Sequence, residues 1–524
     1  MNLFYKTKMQ FNKTKSYQAL KQHSQIIKKQ TIASLFKDKN RFNDFSIKTE
    51  DLLLDYSKQL IAKNTIDLLL SLAKEQDLKA NIDNMFKGDN INFTEARKAW
   101  HTRLRDVNDK DIKKELNKIK DFSENLRTGK HLGFSGKKIT DVVNIGVGGS
   151  DLGPNFICSA LSHLAYEEPI KVHFVSTMDG EQLTAILNNL NNTTTLFIIS
   201  SKSFKTDDTM INFALAKKWF YQNGGIEKDF NKHFVAITAN RLLAEKEFAE
   251  RNIFNFWDFV GGRFSLWSAI GLSIAIYLSF DEFMNLLAGA RKIDNHFKNA
   301  RFAENMPVLM ALIEIWNINF LKKNAKIILP YSYTLAKLPN YLAQLEMESL
   351  GKKTNNNGEF IDYQTGILLF GDVGTNAQHA FYQLLHQGMH NAIMEFILIA
   401  KDTGSKKANL MTFLNAAAQS EALAFGNKGN NNHKHHTGNN SSNTLVLNKL
   451  SANTLGQLIA LYEHKVFVQS ALWQINAFDQ FGVELGKKMA NSLYNGLQNN
   501  KLKINNSSTK SLIEIYLKEN NNES

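Results

Sequence analysis

Cysteine is almost absent: Cys158 is the only one in 524 residues. No intrachain disulfide can form and no cysteine-rich zinc site can be assembled, so a reducing compartment, the cytoplasm, is the expected home. Proline is scarce as well, five residues against 29 glycines spread along the chain. Apolar runs alternate with charged helical segments, and 43% of the residues are apolar. The body therefore reads as globular α/β with more than one domain, not as a disordered or fibrous chain. Long apolar runs are missing: the longest, Ala269 to Phe280, is broken by serines and spans about a dozen residues where a bilayer requires roughly 20. It reads as a buried helix, and no membrane partner is expected. The N-terminus, MNLFYKTKMQFNKTKSYQAL, carries lysines without an apolar stretch followed by small residues, unlike an export signal.

Charge of one sign is in excess, 63 Lys and Arg against 50 Asp and Glu, a formal net charge of +13. The lysines are dispersed among asparagines and no nucleic-acid recognition module accompanies them, so no nucleic-acid partner is expected. Such a surface attracts small anionic substrates.

Residues 1 to about 130 show apolar positions at helical spacing, as in Leu52, Leu53, Leu54, Tyr56, Leu60 and Ile61, which predicts a helical lead-in. From about 140 the texture changes to short β-rich runs that end in small polar residues before a helical pattern: Val142 to Val147, Ile170 to Val175, Leu196 to Ser200 and Phe234 to Thr238. A second set follows at Lys326 to Leu329, Gly366 to Gly371 and Leu410 to Leu414. This rhythm predicts two doubly wound, mostly parallel sheets. The tract GNKGNNNHKHHTGNNSSN, residues 426 to 443, is polar, of low complexity and expected to be a mobile loop. Its His433, His435 and His436 have no carboxylate or cysteine nearby, so no metal site is expected there. A helical segment from Leu455 through Met489 and a charged tail close the chain.

Two loops have the chemistry of an anion cradle. In VVNIGVGGSDLGP, residues 142 to 154, a strand runs into Gly146, Gly148 and Gly149, then Ser150 and Asp151, which suit a helix N-cap. The segment alone is equally a tight strand-to-helix turn. In LFIISSKSFKTDDT, residues 196 to 209, a strand ends in Ser201, Lys202, Ser203 and Thr206, donors for a phosphate monoester, although a lone Ser/Lys loop is usually solvated surface. Nucleotide motifs fail: a dinucleotide fingerprint counted from Gly146 meets Asp151 where glycine or alanine is needed, and a phosphate loop counted from Gly148 meets Pro154-Asn155 in place of Lys-Ser or Lys-Thr. No cofactor is expected.

Four further segments are DFVGGRFSLWSAIGLS (258 to 273), NYLAQLEMESLGK (340 to 352), GTNAQHAFYQLLHQG (374 to 388) and AFDQFGVELGK (477 to 487). With the two loops they resemble, in order, the motif set of the glucose-6-phosphate isomerase family. The resemblance implies two sugar-isomerase (SIS) sheet domains, 106–275 and 276–475, a helical N-terminal segment, 1–105, a C-terminal helical arm, 476–524, and a homodimer with a shared active site. It also implies metal-free aldose-ketose isomerisation of a hexose 6-phosphate within glycolysis and gluconeogenesis. Glu348 matches the base that moves a proton between carbons 1 and 2, and Gln344, four residues earlier, shares its helical face. Arg263 matches the arginine beside the developing enediolate. His379, contributed by the neighbouring subunit, and Lys487 match the pair that opens the sugar ring. Gly149, Ser150, Ser201, Lys202, Ser203 and Thr206 match the phosphate clamp, and Gln480 a ligand near it. His386 and Lys488 read as structural neighbours. Departures from the pattern are Ser203 and Lys205 in the SKSFKT loop, Leu350 for an asparagine and Phe481 for a tryptophan. Rival readings are an isomerase for another hexose phosphate and a noncatalytic sugar-phosphate sensor.

Overall fold

The computed structural model describes residues 9–401, 404–499 and 501–521. The first eight residues, on which the reading of the N-terminus rests in part, lie outside them. The chain divides into two compact units, Met1–Phe478 and Asp479–Ser524.

In the first unit, β1 (Ser46–Lys48) and β2 (Leu52–Asp55) form an antiparallel hairpin. Strands β3 (Asp141–Gly146), β4 (Lys171–Val175), β5 (Thr195–Ser200), β6 (Phe234–Thr238) and β7 (Ile253–Asn255) form a parallel sheet in the order β4-β3-β5-β6-β7. Strands β8 (Ala325–Pro330), β9 (Leu368–Gly371), β10 (Ala392–Ile399) and β11 (Ser442–Leu447) pair in parallel, and the hairpin extends that sheet to β1-β2-β11-β10-β8-β9. Every position of β5 and β6 is buried. That is why their sequences are continuous apolar runs instead of alternating patterns.

The helices have legible causes. In α1 (Lys110–Arg127) the Asp109 side chain accepts from the amides of Asp111 and Ile112, and Ile112, Leu116, Ile119 and Leu126 form one buried stripe. Helix α2 (Leu152–Ala160) follows β3, and α3 (Asp207–Gln222) follows β5. Helix α4 (Phe280–Asn299) is capped by Ser279. A short α5 (Leu338–Ala343) follows β8, α6 (Lys406–Phe425) follows β10, and α7 (Ala452–Trp473) is buried on nearly all sides. One central core joins inner-face residues of both sheets, Val142, Leu196 and Ile198 with Ile328 and Ile397, to the apolar faces of α4 and α7. The outer faces carry separate cores around Phe197 and Phe234 and around Leu329 and Phe396. The second unit holds α8 (Glu484–Gln498) and α9 (Ser507–Asn521). Among the described residues no helix is long and apolar enough to cross a membrane.

Several sequence expectations are corrected. Leu52 to Leu54 are strand, because β2 pairs with β11 and buries Leu52 and Leu54. Leu410 to Leu414 lie in α6, whose Ala416, Ser420 and Leu423 are buried at helical spacing against the second sheet. Strand β9 starts at Leu368, since Gly366 sits at φ +64°. Strand β7 is too short to leave a sequence signal, and β10 and β11 fall outside the β-rich runs expected from the sequence. The run Ala269 to Phe280 is a 3-10 turn, a short helix and the cap of α4, all but Tyr277 and Phe280 buried. The expected helix from Leu455 to Met489 is interrupted: Gln474 takes a left-handed conformation (φ 57°) and bonds to Gln76 and to the Met9 carbonyl. The Asn/His tract ends inside β11, with Ser442 and Asn443 buried, and Asn427 pairs with His436 across it.

Candidate active site

In the first sheet the chain leaves β3 toward β4 on one side, then crosses to β5 on the other side of β3. Gly146 and Ser200 face each other at the carboxyl ends of these neighbours, and such a switch point opens a crevice. Both loops singled out in the sequence emerge here. Asn144, buried in β3, ties them: its amide donates to the Ser150 carbonyl (3.1 Å) and its Oδ1 accepts from the Ser200 hydroxyl (3.1 Å). Gly148 is left-handed (φ +59°), and a Cβ there would meet the Gln344 amide at 2.8 Å. A Cβ on Gly149 would stand 1.9 Å from the Gly262 carbonyl oxygen, so this turn is pressed against the segment that carries Arg263. Gly148 to Ser150 form a 3-10 turn that runs straight into α2. Asp151 stands at the N-cap position of α2, as the sequence suggested, but with αR backbone angles and no capping bond from its side chain. It accepts instead from Asn155 (3.3 Å), and burial pushes its carboxyl up to about 6.

The hydroxyl loop is a built turn. The Ser201 hydroxyl lies 3.2 Å from the Thr206 hydroxyl and accepts from the Phe204 amide (3.1 Å), which stabilises Phe204 at φ 54°. Ser203 is exposed, its hydroxyl accepting from the Lys205 amide (3.3 Å). The Lys202 ammonium turns inward and donates to the carbonyls of Asp258 (2.9 Å) and Val260 (2.7 Å). Burial lowers its pKa to about 8. It links the hydroxyl loop to the strand end that leads into Arg263, a role the sequence did not disclose.

Arg263 is 3% exposed and spends its guanidinium on three elements. Nε donates to the Ser349 hydroxyl (2.7 Å), Nη1 to Glu348 Oε1 (2.8 Å) and Nη2 to the Ala477 carbonyl. Glu348 remains 23% exposed at its side chain and also accepts, at Oε2, from the Gln344 amide (3.2 Å). Residues Gln344–Glu348 form a π-helical turn continuing α5, a geometry that recurs at functional sites. Gly149, Ser150, Arg263, Gln344 and Glu348 are thus gathered into one cluster, with Ser201, Lys202, Ser203 and Thr206 adjoining it. The cluster combines a carboxylate open to solvent, a fixed cation beside it and hydroxyl donors.

His379 takes no part in the hydrogen bonds of that cluster. It is exposed at the end of the short helix Gly374–Gln378, beyond β9. His386 is structural: its Nε2 lies 2.8 Å from Gln419 Oε1 and its ring packs on Tyr382. Gln480 and Lys487 belong to the second unit, Gln480 just before a 3-10 turn and Lys487 exposed on α8. Lys488 pairs with Glu484 one turn away (2.9 Å). Leu350 is buried in the central core, whereas Phe481 is 53% exposed. Sequence reasoning missed Asn144, a polar residue inside an apolar strand and so detectable in principle, and Ser349, the neighbour of Glu348 that fixes Arg263.

The phosphoglucose isomerase family model matches residues 55–513. A glucose-6-phosphate isomerase of Helicobacter acinonychis (strain Sheeba) is 45% identical, the match covering 96% of this chain and 98% of that protein. One from Campylobacter jejuni subsp. doylei is 44% identical over 97% of this chain and 98% of that protein. The crystal structure of a glucose-6-phosphate isomerase from Chlamydia trachomatis is 29% identical, superposes with a TM-score of 0.88 and covers 97% of this chain and 99% of that one. With the family model running through both sheets and the Arg263–Glu348 cluster inside it, this chain belongs to the phosphoglucose isomerase family.

Proposed function

We propose that this chain interconverts glucose 6-phosphate and fructose 6-phosphate, with Glu348 as the base. The observation that carries the reading is the Arg263–Glu348 pair, 2.8 Å apart, tied to the glycine turn after β3, whose neighbour at the switch point is the hydroxyl-rich loop after β5. The phosphate is held by Ser150, Ser201, Lys202, Ser203 and Thr206, Gly149 lets the backbone come close, and the family motif around Gln480 supports that residue as a further ligand. His379 and Lys487 move protons between the ring oxygen and the O1 hydroxyl, which opens the ring.

In the open-chain aldose the Glu348 carboxylate removes the proton on carbon 2. The C–H electron pair forms the C1–C2 double bond, and the carbonyl pair moves onto O1, giving a cis-enediolate. The fixed Arg263 cation stabilises that oxygen anion, an effect worth ~3–4 kcal/mol by the scale of a single oxyanion-hole donor. The proton on O2 passes to O1, the C2 carbonyl forms, and Glu348 returns its proton to carbon 1. Gln344, bonded to the far carboxylate oxygen, holds Glu348 in line.

We further propose a homodimer in which the partner supplies the histidine at position 379. Exposed apolar groups beside that segment, Phe370, Leu384 and Met389, and the exposed Leu485, Met489 and Tyr494 of α8 support an assembly that covers them. The chain works in the cytoplasm, in glycolysis and gluconeogenesis.

The test is turnover of fructose 6-phosphate by the purified protein, with Glu348→Gln alongside. Losing a general base is expected to cost about 10²- to 10⁴-fold in kcat. A folded variant with near-normal turnover rejects Glu348 as base. Binding without conversion by the unmodified protein rejects the enzyme in favour of a sensor.

A further inference from the structure

Two residues before Glu348, Glu346 points the other way, into the protein, and is 1% exposed. Its carboxylate accepts from the Lys326 ammonium of β8 (3.1 Å) and from the Lys465 ammonium of α7 (2.8 Å). Both lysines also reach Glu314, at 2.9 and 2.7 Å, and Lys326 lies 3.5 Å from Glu395, which accepts from the Tyr462 hydroxyl. All of these groups are buried. Two cations are thus enclosed with three carboxylates, a costly arrangement that apolar side chains replace with little loss in many folds. Stability alone is therefore a weak reason for it.

The position of the network suggests a better one. A π turn holds its backbone in a rarely adopted register, and Glu346 is at the middle of the turn Gln344–Glu348. Sliding or unwinding the turn would pull Glu346 from two ammonium groups that are themselves buried and so stay uncompensated. Anchoring from both the sheet and α7 leaves the turn one position, and Glu348 on its outer side is placed to meet Nη1 of Arg263. We infer that Glu346, held by Lys326 and Lys465, is the positioning residue that fixes Glu348 for proton transfer. The inference rests on Glu348 being the base, as proposed above. Glu346 itself touches no substrate.

The experiment measures kcat and KM of Glu346→Gln, Lys465→Met and Glu348→Gln on fructose 6-phosphate, with turnover normalised to protein shown folded by near-UV circular dichroism. In Glu346→Gln kcat is expected to fall about 10- to 100-fold, the range that a displacement of ~1 Å produces, while KM stays within about twofold because the phosphate loops are untouched. Lys465→Met is expected to fall in the same way. A folded Glu346→Gln enzyme with unchanged kcat, beside an inactive Glu348→Gln, overturns the positioning role and leaves the base assignment standing. An active Glu348→Gln overturns both. A parallel rise in KM with no change in kcat also overturns it. If Glu346→Gln does not fold, Lys465→Met decides, and if neither folds the network is structural and the inference falls.

Discussion

At the scale of single residues, Lys202 holds the carbonyls of Asp258 and Val260, and with the phosphate contact proposed above it has two jobs that separate with pH. Its two bonds to the carbonyls of Asp258 and Val260 survive loss of a proton, since a neutral amine still carries two N–H groups; the third hydrogen, available to a phosphate, does not. Burial has lowered its pKa from 10.5 to about 8. A bound dianion restores the charged form, so above pH 8 binding takes up a proton. KM for the sugar phosphate is therefore expected to rise with pH beyond about 8, by up to about tenfold per unit, and the slope should vanish in Lys202→Met. The same shift has the opposite sign for folding. The unfolded chain keeps the proton that the folded chain sheds between about 8 and 10.5, so this residue favours folding more as pH rises through that window. A pH-independent KM in the unmodified enzyme would remove Lys202 from the clamp. None of this inward turn was visible in SKSFKT, where lysine between serines reads simply as a donor.

Among the elements, the contact between the glycine turn and the arginine segment is the tightest constraint on the site. In Gly149→Ala the new methyl would fall 1.9 Å from the Gly262 oxygen and 2.8 Å from the Arg263 amide. The two loops must part, at an expected cost of about 1–3 kcal/mol in urea unfolding, with a fall in kcat as Arg263 moves. Gly262→Ala is the control, because its Cβ meets nothing within 4 Å and stability should stay within ~0.5 kcal/mol. Equal effects of the two would show that the approach of the loops is not what matters. Strands β5 and β6 could be read from sequence because burial on both faces demands nearly continuous apolar runs, and β3 remains legible through Val142, Val143 and Ile145 around Asn144. Strand β10, AIMEFILI, hides a charge in its middle, Glu395, which is acceptable because Lys326 of the adjacent strand lies 3.5 Å away and the Tyr462 hydroxyl and Asn443 amide donate to its carboxylate. The apolar group Leu410 to Leu414 misled for the converse reason, being too short to reveal its period.

For the molecule as a whole, a second buried charge group ties distant parts of the first unit together. Arg105 bonds Asp294 of α4 and Glu463 of α7 and lies 4.2 Å over the Trp267 ring, whose indole donates to Glu463 (2.8 Å). Despite the arginine, burial holds the Glu463 carboxyl up at about 7. Arg105→Met leaves two carboxylates in the core without their cation and should lower the unfolding free energy by ~3–5 kcal/mol, read from denaturant midpoints. A shift below ~1 kcal/mol would mean that the carboxylates take up protons at little cost. Glu463 and Lys465 are two residues apart on α7 and serve, respectively, the Trp267 segment just after Arg263 and the π turn that bears Glu348. By itself the sequence determined the parallel-sheet rhythm, the two anion-cradle loops and the six motifs that carry the family, because each is written in neighbouring residues. Only the tertiary structure decided that the hairpin Ser46–Asp55 completes the second sheet, that Lys202 faces inward, and that Glu346 meets Lys326 and Lys465 from 20 and 119 residues away. Periodicity is a local property of a chain, whereas the pairing of buried charges depends on which elements come to lie side by side.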